Sequence, residues 1–166
     1  MISKQLSTNT TNSMDVNKKR NKVLWWVCFA AYLLLLAYIV FYASSFGREE
    51  HKEYRYNLTL FHEIGRYWNF GLRTGSWRLF LWNVVGNICV FVPFGIFLPK
   101  LFKRCKNGFF TILLSFELSL CVEIIQLVTR VGSFDVDDLL LNTVGGLCGF
   151  LFITIYDRVW KRCSAK

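Results

Sequence analysis

Charged residues are scarce in this chain: they make up 19% of its 166 residues, whereas hydrophobic residues make up 54% and aromatic residues 17%. In a typical soluble domain, about a quarter of all residues are charged. The chain has only two histidines and lacks a histidine cluster, a Ser-His-Asp order and a glycine-rich phosphate-binding loop. These absences argue against a soluble nucleotide-binding enzyme and against a histidine-based metal site.

Paired cysteine spacing is also missing, although the chain has six cysteines. Four of them lie within apolar runs, where a thiol behaves as a small hydrophobic group, and two lie among basic residues. The first set is Cys28, Cys89, Cys121 and Cys148, and the second is Cys105 and Cys163. We therefore predict packing roles for the cysteines, with no bound metal and no cofactor.

Hydrophobic residues are concentrated in four runs of the length needed to cross a hydrocarbon layer of about 30 Å. The runs cover about residues 23–42, 79–98, 109–128 and 138–156. The segment at about 57–77 is aromatic and amphipathic, which is typical of a helix in the membrane interface. The sequence predicts an all-α integral membrane protein, a four-transmembrane-helix bundle with an extra interfacial helix between spans 1 and 2.

The predicted membrane domain covers residues 23–157, between a disordered tail at 1–22 and a basic tail at 158–166. Basic residues outnumber acidic ones by 20 to 11, and they cluster in both tails and after the second run. The loop after the third run has one base, Arg130. Since Lys and Arg mark the cytoplasmic side, we predict a multi-pass protein of the cell membrane with both termini cytoplasmic. Nucleic acid is not an expected partner.

This orientation collects polar residues at the outer ends of the spans. Glu123, Gln126 and Arg130 share one face of the third helix, and Asp138 and Asn142 share a face of the fourth. Ionisable groups at membrane depth are candidates for function. We predict an extracytoplasmic polar cleft lined by Asn87, Glu123, Gln126, Arg130, Asp135, Asp137, Asp138 and Asn142. The alternative is a buried polar network that only holds the helices together.

Small residues and prolines are expected to control helix packing. Pro93 should kink the second span, and glycines let helices approach closely. The predicted packing residues are Pro93, Gly95, Gly145, Gly146 and Gly149. Glu117 lies off the face of Glu123, so it can pair within the bundle or across a homo-oligomer.

Three blocks resemble the VanZ-like family of bacterial membrane proteins, which is associated with resistance to the glycopeptide teicoplanin. They are NICVFVPFGIFLP (87–99), EIIQLVTR (123–130) and FDVDDLLLNTVGGLCG (134–149). An upstream block, NLTLF (57–61), is also similar, but it has Leu60 where the family usually has proline. The resemblance implies a cell-envelope membrane protein that lowers susceptibility to teicoplanin-type glycopeptides.

Three classes of function remain open at this point. The cleft could bind membrane lipids, a lipid-linked wall precursor or a lipoglycopeptide. Alternatively, the chain could be an integral membrane enzyme that acts on a lipid-linked or cell-wall substrate with its Asp/Glu cluster, because such acids can hold a divalent cation or act as a general base. His62 and Glu63 could be catalytic or form a wetted polar face. A transporter would need polar residues in the inner halves of the spans, which are almost wholly apolar.

Overall fold

Among the residues that the computed structural model describes, four helices are long and apolar enough to cross a membrane. The structure describes residues 20–40, 54–130 and 132–163. Its elements are α1 (Arg20–Val40), β1 (Tyr56–Asn57), α2 (His62–Thr74), α3 (Arg78–Leu101), α4 (Gly108–Thr129), β2 (Phe134–Asp135) and α5 (Val136–Cys163). At 1.5 Å per residue, the 22 residues of α4 extend over about 33 Å, which matches the hydrocarbon layer.

The predicted all-α, four-span fold with an additional short helix is confirmed. The four spans are α1, α3, α4 and α5, and α2 is the short amphipathic helix between the first two spans. Residues 1–19 and 164–166 of the predicted tails lie outside the described residues. The rest of the predicted carboxyl tail, 158–163, continues α5 as helix.

Helix α3 contains both prolines of the chain and a π-helical turn at Leu81–Val85. Proline removes a backbone donor from a helix, so a neighbouring group must satisfy the backbone acceptors around it. The hydroxyl of Tyr32 in α1 donates to the carbonyl oxygen of Val90 at 2.9 Å, next to Cys89, whose carbonyl oxygen lacks its helical donor because of Pro93. The helix continues through Pro99 to Leu101, three residues beyond the predicted end of the span.

Glycines bring α3 and α5 into contact backbone to backbone. A Cβ atom on Gly145 would lie 2.2 Å from the carbonyl oxygen of Ile88, and one on Gly149 would lie 2.0 Å from that of Val92. A Cβ on Gly95 would lie 1.9 Å from the carbonyl oxygen of Gly146. Any side chain at these positions would separate the two helices, which run parallel and form the most extensive helix pair of the fold.

Helix α4 packs on α5 through a stripe of small polar residues at every fourth position. Thr111, Ser115 and Ser119 have no solvent exposure, and the next residue of the stripe, Glu123, is 2% exposed. Ser115 donates to the carbonyl oxygen of Thr111 at 2.8 Å, and Asn142 of α5 donates to Ser119 Oγ at 2.9 Å. These contacts satisfy the polar groups inside the bundle, as an apolar environment requires.

Helix α1 lies at the edge of the bundle and buries only Phe29 and Leu36. Phe29 packs with Phe94, Leu98 and Cys105 near the end of the bundle where α3 and α5 finish. Burial raises the pKa of the Cys105 thiol, so this cysteine stays protonated and packs as a hydrophobic group.

The same end of the bundle carries most of the described basic residues. Lys100 and Asp157 form an ion pair at 2.6 Å that joins the last turns of α3 and α5. Lys100 also lies over the ring of Trp25 in α1, 5.8 Å from its centroid. The basic residues at this end are Arg20, Lys22, Lys100, Lys103, Arg104, Lys106, Arg158, Lys161 and Arg162.

Candidate binding cleft

A short parallel strand pair lies at the opposite end of the bundle. Tyr56 of β1 pairs with Phe134 of β2, and Asn57 pairs with Asp135. The backbone N–H of Phe134 also donates to the carbonyl oxygen of Arg55 at 3.1 Å. The pair ties the segment before α2 to the segment that begins α5, although about 80 residues separate them in sequence.

Asp137 then fixes the start of α2. Its carboxylate is fully buried and accepts hydrogen bonds from three backbone N–H groups: Phe61 at 2.5 Å, Glu63 at 2.8 Å and Ile64 at 3.1 Å. The first N–H groups of a helix have no partner within the helix, and no side chain of α2 or of Phe61 caps them. Asp137 supplies this cap from α5, and Phe61 adopts the left-handed conformation that allows it (φ 63°).

Asp135 joins β1, α4 and α5 at one point. Its Oδ1 accepts from the N–H of Asp137 at 2.8 Å, which caps α5, and from the side-chain amide of Asn57 at 3.2 Å. Its own N–H donates to Glu123 Oε2 at 2.8 Å. Burial raises the pKa of Asp135, and the charges of Asp137 and Glu63 act in the same direction, while the two hydrogen bonds oppose them.

A polar cavity of about 490 Å³ lies between α2, the strand pair and the first turns of α3 and α5. Its walls carry three guanidinium groups and three carboxylates together with uncharged polar groups. The lining residues are Arg55, Tyr56, Asn57, His62, Glu63, Arg66, Tyr67, Asn83, Arg130, Gly132, Ser133, Asp135 and Asp138. The cavity is the feature that we call the cleft.

Residues of α2 form one wall of the cleft. Glu63 forms an ion pair with Arg66, and its Oε1 lies 3.4 Å from His62 Nδ1. Arg66 also donates to the hydroxyl of Tyr67 at 3.1 Å. Burial raises the pKa of Tyr67, so its phenol stays neutral.

The facing wall belongs to the ends of α3, α4 and α5. Arg130 ends α4 in the left-handed conformation (φ 57°), and its guanidinium lies over the ring of Tyr54, 4.7 Å from the centroid. Asn87 of α3 donates to Asp138 Oδ1 at 2.5 Å. Both walls carry positive and negative side chains, so the cleft can hold a polar ligand of small-molecule size.

Comparison with known proteins identifies the family of the chain. Residues 29–157 match the profile of the VanZ/LLP1 family. The chain belongs to the VanZ/LLP1 family. It is 34% identical over 97 residues to Protein VanZ of Enterococcus faecium, a match that covers 56% of this chain and 53% of that protein. The chain thus spans about half the length of this curated relative. No solved structure matches. The resemblance stated from the sequence is confirmed.

In this VanZ/LLP1 protein the predicted cleft residues fall into two layers. Arg130, Asp135 and Asp138 line the cleft. Four others lie beneath it: Asn87 holds Asp138, Glu123 holds the backbone of Asp135, Asp137 caps α2, and Asn142 bonds to Ser119 deeper in the bundle. Gln126 is not among the lining residues, and its carbonyl oxygen accepts from Gly132 at 3.3 Å. The structure therefore contains both a polar cavity and a set of buried polar contacts, and a binding role for the cavity stays a prediction.

Several lining residues were not predicted as part of the cleft. Positions one, two, five and six of α2 are His62, Glu63, Arg66 and Tyr67, which share one face of the helix. This polar face was the signal that could have placed them in the cleft. Nothing local marks Arg55, because its place depends on a strand pair formed over a long sequence separation. Within residues 20–40, 54–130 and 132–163, no group of three or more His, Cys, Asp or Glu is arranged to hold a metal ion.

Proposed function

We propose that this VanZ/LLP1 protein binds the polar part of a membrane-anchored cell-envelope component in the cleft and so lowers susceptibility to teicoplanin-type glycopeptides. The component is a lipid, a lipid-linked wall precursor or a lipoglycopeptide. One observation carries the proposal: a cavity of about 490 Å³ with charged walls opens at one end of a four-span bundle. This volume is in the range of about 300–1,000 Å³ that is usual for small-ligand sites.

Aromatic residues beside the cleft support a ligand that stays in the membrane. The rings of Trp68, Trp77 and Phe80 pack edge to face, with centroids 5.1–6.0 Å apart, and join the end of α2 to the start of α3. Trp82 on the next turn is 71% exposed. Tryptophan is enriched at the headgroup level of membranes, so this cluster would hold α2 and the cleft at that level.

The charge distribution supports an extracytoplasmic cleft. The basic end of the bundle, around the Lys100–Asp157 pair, would face the cytoplasm. Reporter fusions after Lys106 and after Ser133 test this orientation: we expect the first to report a cytoplasmic position and the second an external one. The reverse result would place the cleft on the wrong side for a role against an external antibiotic.

Antibiotic susceptibility in a sensitive Gram-positive host tests the function itself. We expect expression of the wild-type chain to lower susceptibility to teicoplanin more than susceptibility to vancomycin. Asp138→Asn, Arg130→Gln and Glu123→Gln should each weaken this protection, because they change the cleft wall or its support. Asp157→Asn is the matched control, since it changes an acid at the other end of α5. Unchanged teicoplanin susceptibility with the wild type, or protection that survives all three cleft substitutions, would contradict the proposal.

An enzyme remains the second candidate because the structure places His62 and Glu63 on the same cavity as Asp138. A histidine and a carboxylate 3.4 Å apart could exchange a proton with a bound substrate. Incubation of the purified protein with a lipid-linked wall precursor, followed by mass spectrometry, should then show a product that His62→Gln and Glu63→Gln abolish. A bound but chemically unchanged precursor would favour the binding function.

A further inference from the structure

The carboxylates of the cleft already accept hydrogen bonds from the protein itself. Glu63 is paired with Arg66, and Asp138 accepts from Asn87. Asp135 accepts from the backbone of Asp137 and from Asn57. These contacts hold the acids in place as parts of the wall of the cleft.

Arg66 and Arg130 have donor capacity beyond their contacts with Glu63, Tyr67 and Tyr54 in the structure. A guanidinium carries five N–H donors in one plane, more than any single partner uses. The guanidinium carbon of Arg130 lies over the ring of Tyr54, 4.7 Å from its centroid, and this cation–π attraction does not by itself use an N–H donor in a hydrogen bond. Arg66 keeps donors after its contacts with Glu63 and Tyr67, because these involve one of its two terminal nitrogens.

Three different parts of the chain supply these arginines. Arg55 directly precedes β1, Arg66 lies in α2, and Arg130 ends α4. All three line the one cavity. Their convergence depends on the β1–β2 pair and on the Asp137 cap, so the fold builds a cluster of donors that no single helix could present.

We propose that the cleft binds a phosphate ester, with Arg55, Arg66 and Arg130 donating to its oxygen atoms. The proposal rests on the proposed function, since it names the chemical class of the ligand for the same cleft. A carboxylate has two oxygens and is satisfied by one bidentate arginine, whereas a terminal phosphate presents three oxygens and matches several guanidinium groups. Beside an aromatic cluster suited to the headgroup level, the natural source is a lipid with a terminal phosphate.

Binding to the purified full-length chain in phosphatidylcholine nanodiscs tests the chemistry. The probes are an isoprenyl monophosphate, the corresponding uncharged isoprenyl alcohol, inorganic phosphate and acetate. Tryptophan fluorescence provides the readout, because Trp68, Trp77 and Trp82 lie near the cleft. We expect the monophosphate to bind at least about tenfold more tightly than the alcohol, and inorganic phosphate, but not acetate, to compete with it.

Arginine substitutions assign the binding to the cleft. Arg55→Gln and Arg130→Gln should each lower affinity for the monophosphate by about tenfold or more. Arg130→Lys should lower it less, because lysine keeps the positive charge but lacks the paired N–H donors of the guanidinium. Arg73→Gln on the exposed end of α2 is the control and should bind as the wild type does. Arg55 and Arg130 are exposed, so these variants are expected to fold; equal thermal unfolding temperatures verify it.

The outcomes separate this inference from the proposed function. Tight binding of inorganic phosphate, equal to that of the lipid ester and dependent on Arg55 and Arg130, would support phosphate recognition with free phosphate as the source. Equal binding of the alcohol and the ester, or equal losses in Arg130→Gln and Arg73→Gln, would overturn the inference. Teicoplanin protection without phosphate binding would overturn it and leave the proposed function standing. Arginine-dependent phosphate binding without protection against teicoplanin would support the inference and overturn the proposed function.

Discussion

Asp137 provides the sharpest test of how the cleft is built. The Asp137→Ala substitution removes both oxygens that accept from the N–H groups of Phe61, Glu63 and Ile64. A lost helix cap costs about 1 kcal/mol, and a hydrogen bond to a charged group is worth about 1.5–3 kcal/mol. The freed N–H groups regain part of this from water once α2 moves away. We therefore expect the docking of α2 to weaken by about 2–4 kcal/mol.

Hydrogen exchange at single residues measures this loss where it occurs. A loss of 2–4 kcal/mol corresponds to roughly 30- to 700-fold faster exchange of the N–H groups of Glu63 and Ile64. Exchange in the middle of α4 should stay as it is in the wild type, because the four-span bundle does not need α2. The cleft should lose its ligand together with α2, since residues of α2 form one wall.

Asp157→Ala is the matched control for this experiment. Asp157 is also an acid of α5, but its ion pair with Lys100 is partly exposed and should contribute at most about 1 kcal/mol. The reasoning is refuted if Asp137→Ala leaves the exchange of Glu63 and Ile64 unchanged. It is also refuted if the control accelerates their exchange as much.

Three further predictions concern helix contact, pH and backbone conformation. Gly149→Ala should lower the free energy of unfolding by about 3 kcal/mol, because its Cβ would lie 2.0 Å from a carbonyl oxygen. Gly65→Ala, with open space around it, should raise the free energy of unfolding by up to about 1 kcal/mol. Equal thermal shifts in the two variants would contradict this. Since the pKa of Asp135 is raised in the folded state, the folded protein binds more protons, and its stability should fall as pH rises from about 4 through that pKa. Asp135→Asn should flatten this fall in unfolding measurements and Asp157→Asn should not; an unchanged slope would contradict the assignment. Arg130→Gly should keep or raise the unfolding temperature by relieving a positive φ, yet weaken phosphate binding; a clear loss of stability would contradict it.

The four spans could be predicted because a membrane demands long apolar runs, and composition alone reveals them. The close contact of Gly145 and Gly149 with α3 could also be anticipated from small residues on one helical face. The stripe of Thr111, Ser115 and Ser119 was missed, although its four-residue spacing is visible. These residues are common in apolar helices, and only their burial against α5 shows that they form a contact surface.

The cleft was harder to predict because its shape depends on contacts between distant segments. The direction of the predicted spans placed Glu123 and Asp138 at the same end of the bundle, where the structure has them. It could not reveal that β1 pairs with β2, since two-residue strands leave no periodic pattern. Without that pair, Arg55 has no reason to lie near Arg130, and the polar face of α2 has no known counterpart.

The three acids at the start of α5 show why residue type alone did not settle the site. Asp135 caps α5, Asp137 caps α2, and Asp138 accepts from Asn87 on the cleft wall. In sequence they read as one acidic cluster that could hold a cation. In the fold their carboxylates point to three different partners, and each accepts hydrogen bonds from the protein. Their common effect is to place α2 over the mouth of the bundle, and this placement brings the arginines together. The acids thus form the framework of the cleft, and the donors that they position are the groups we expect to contact the ligand.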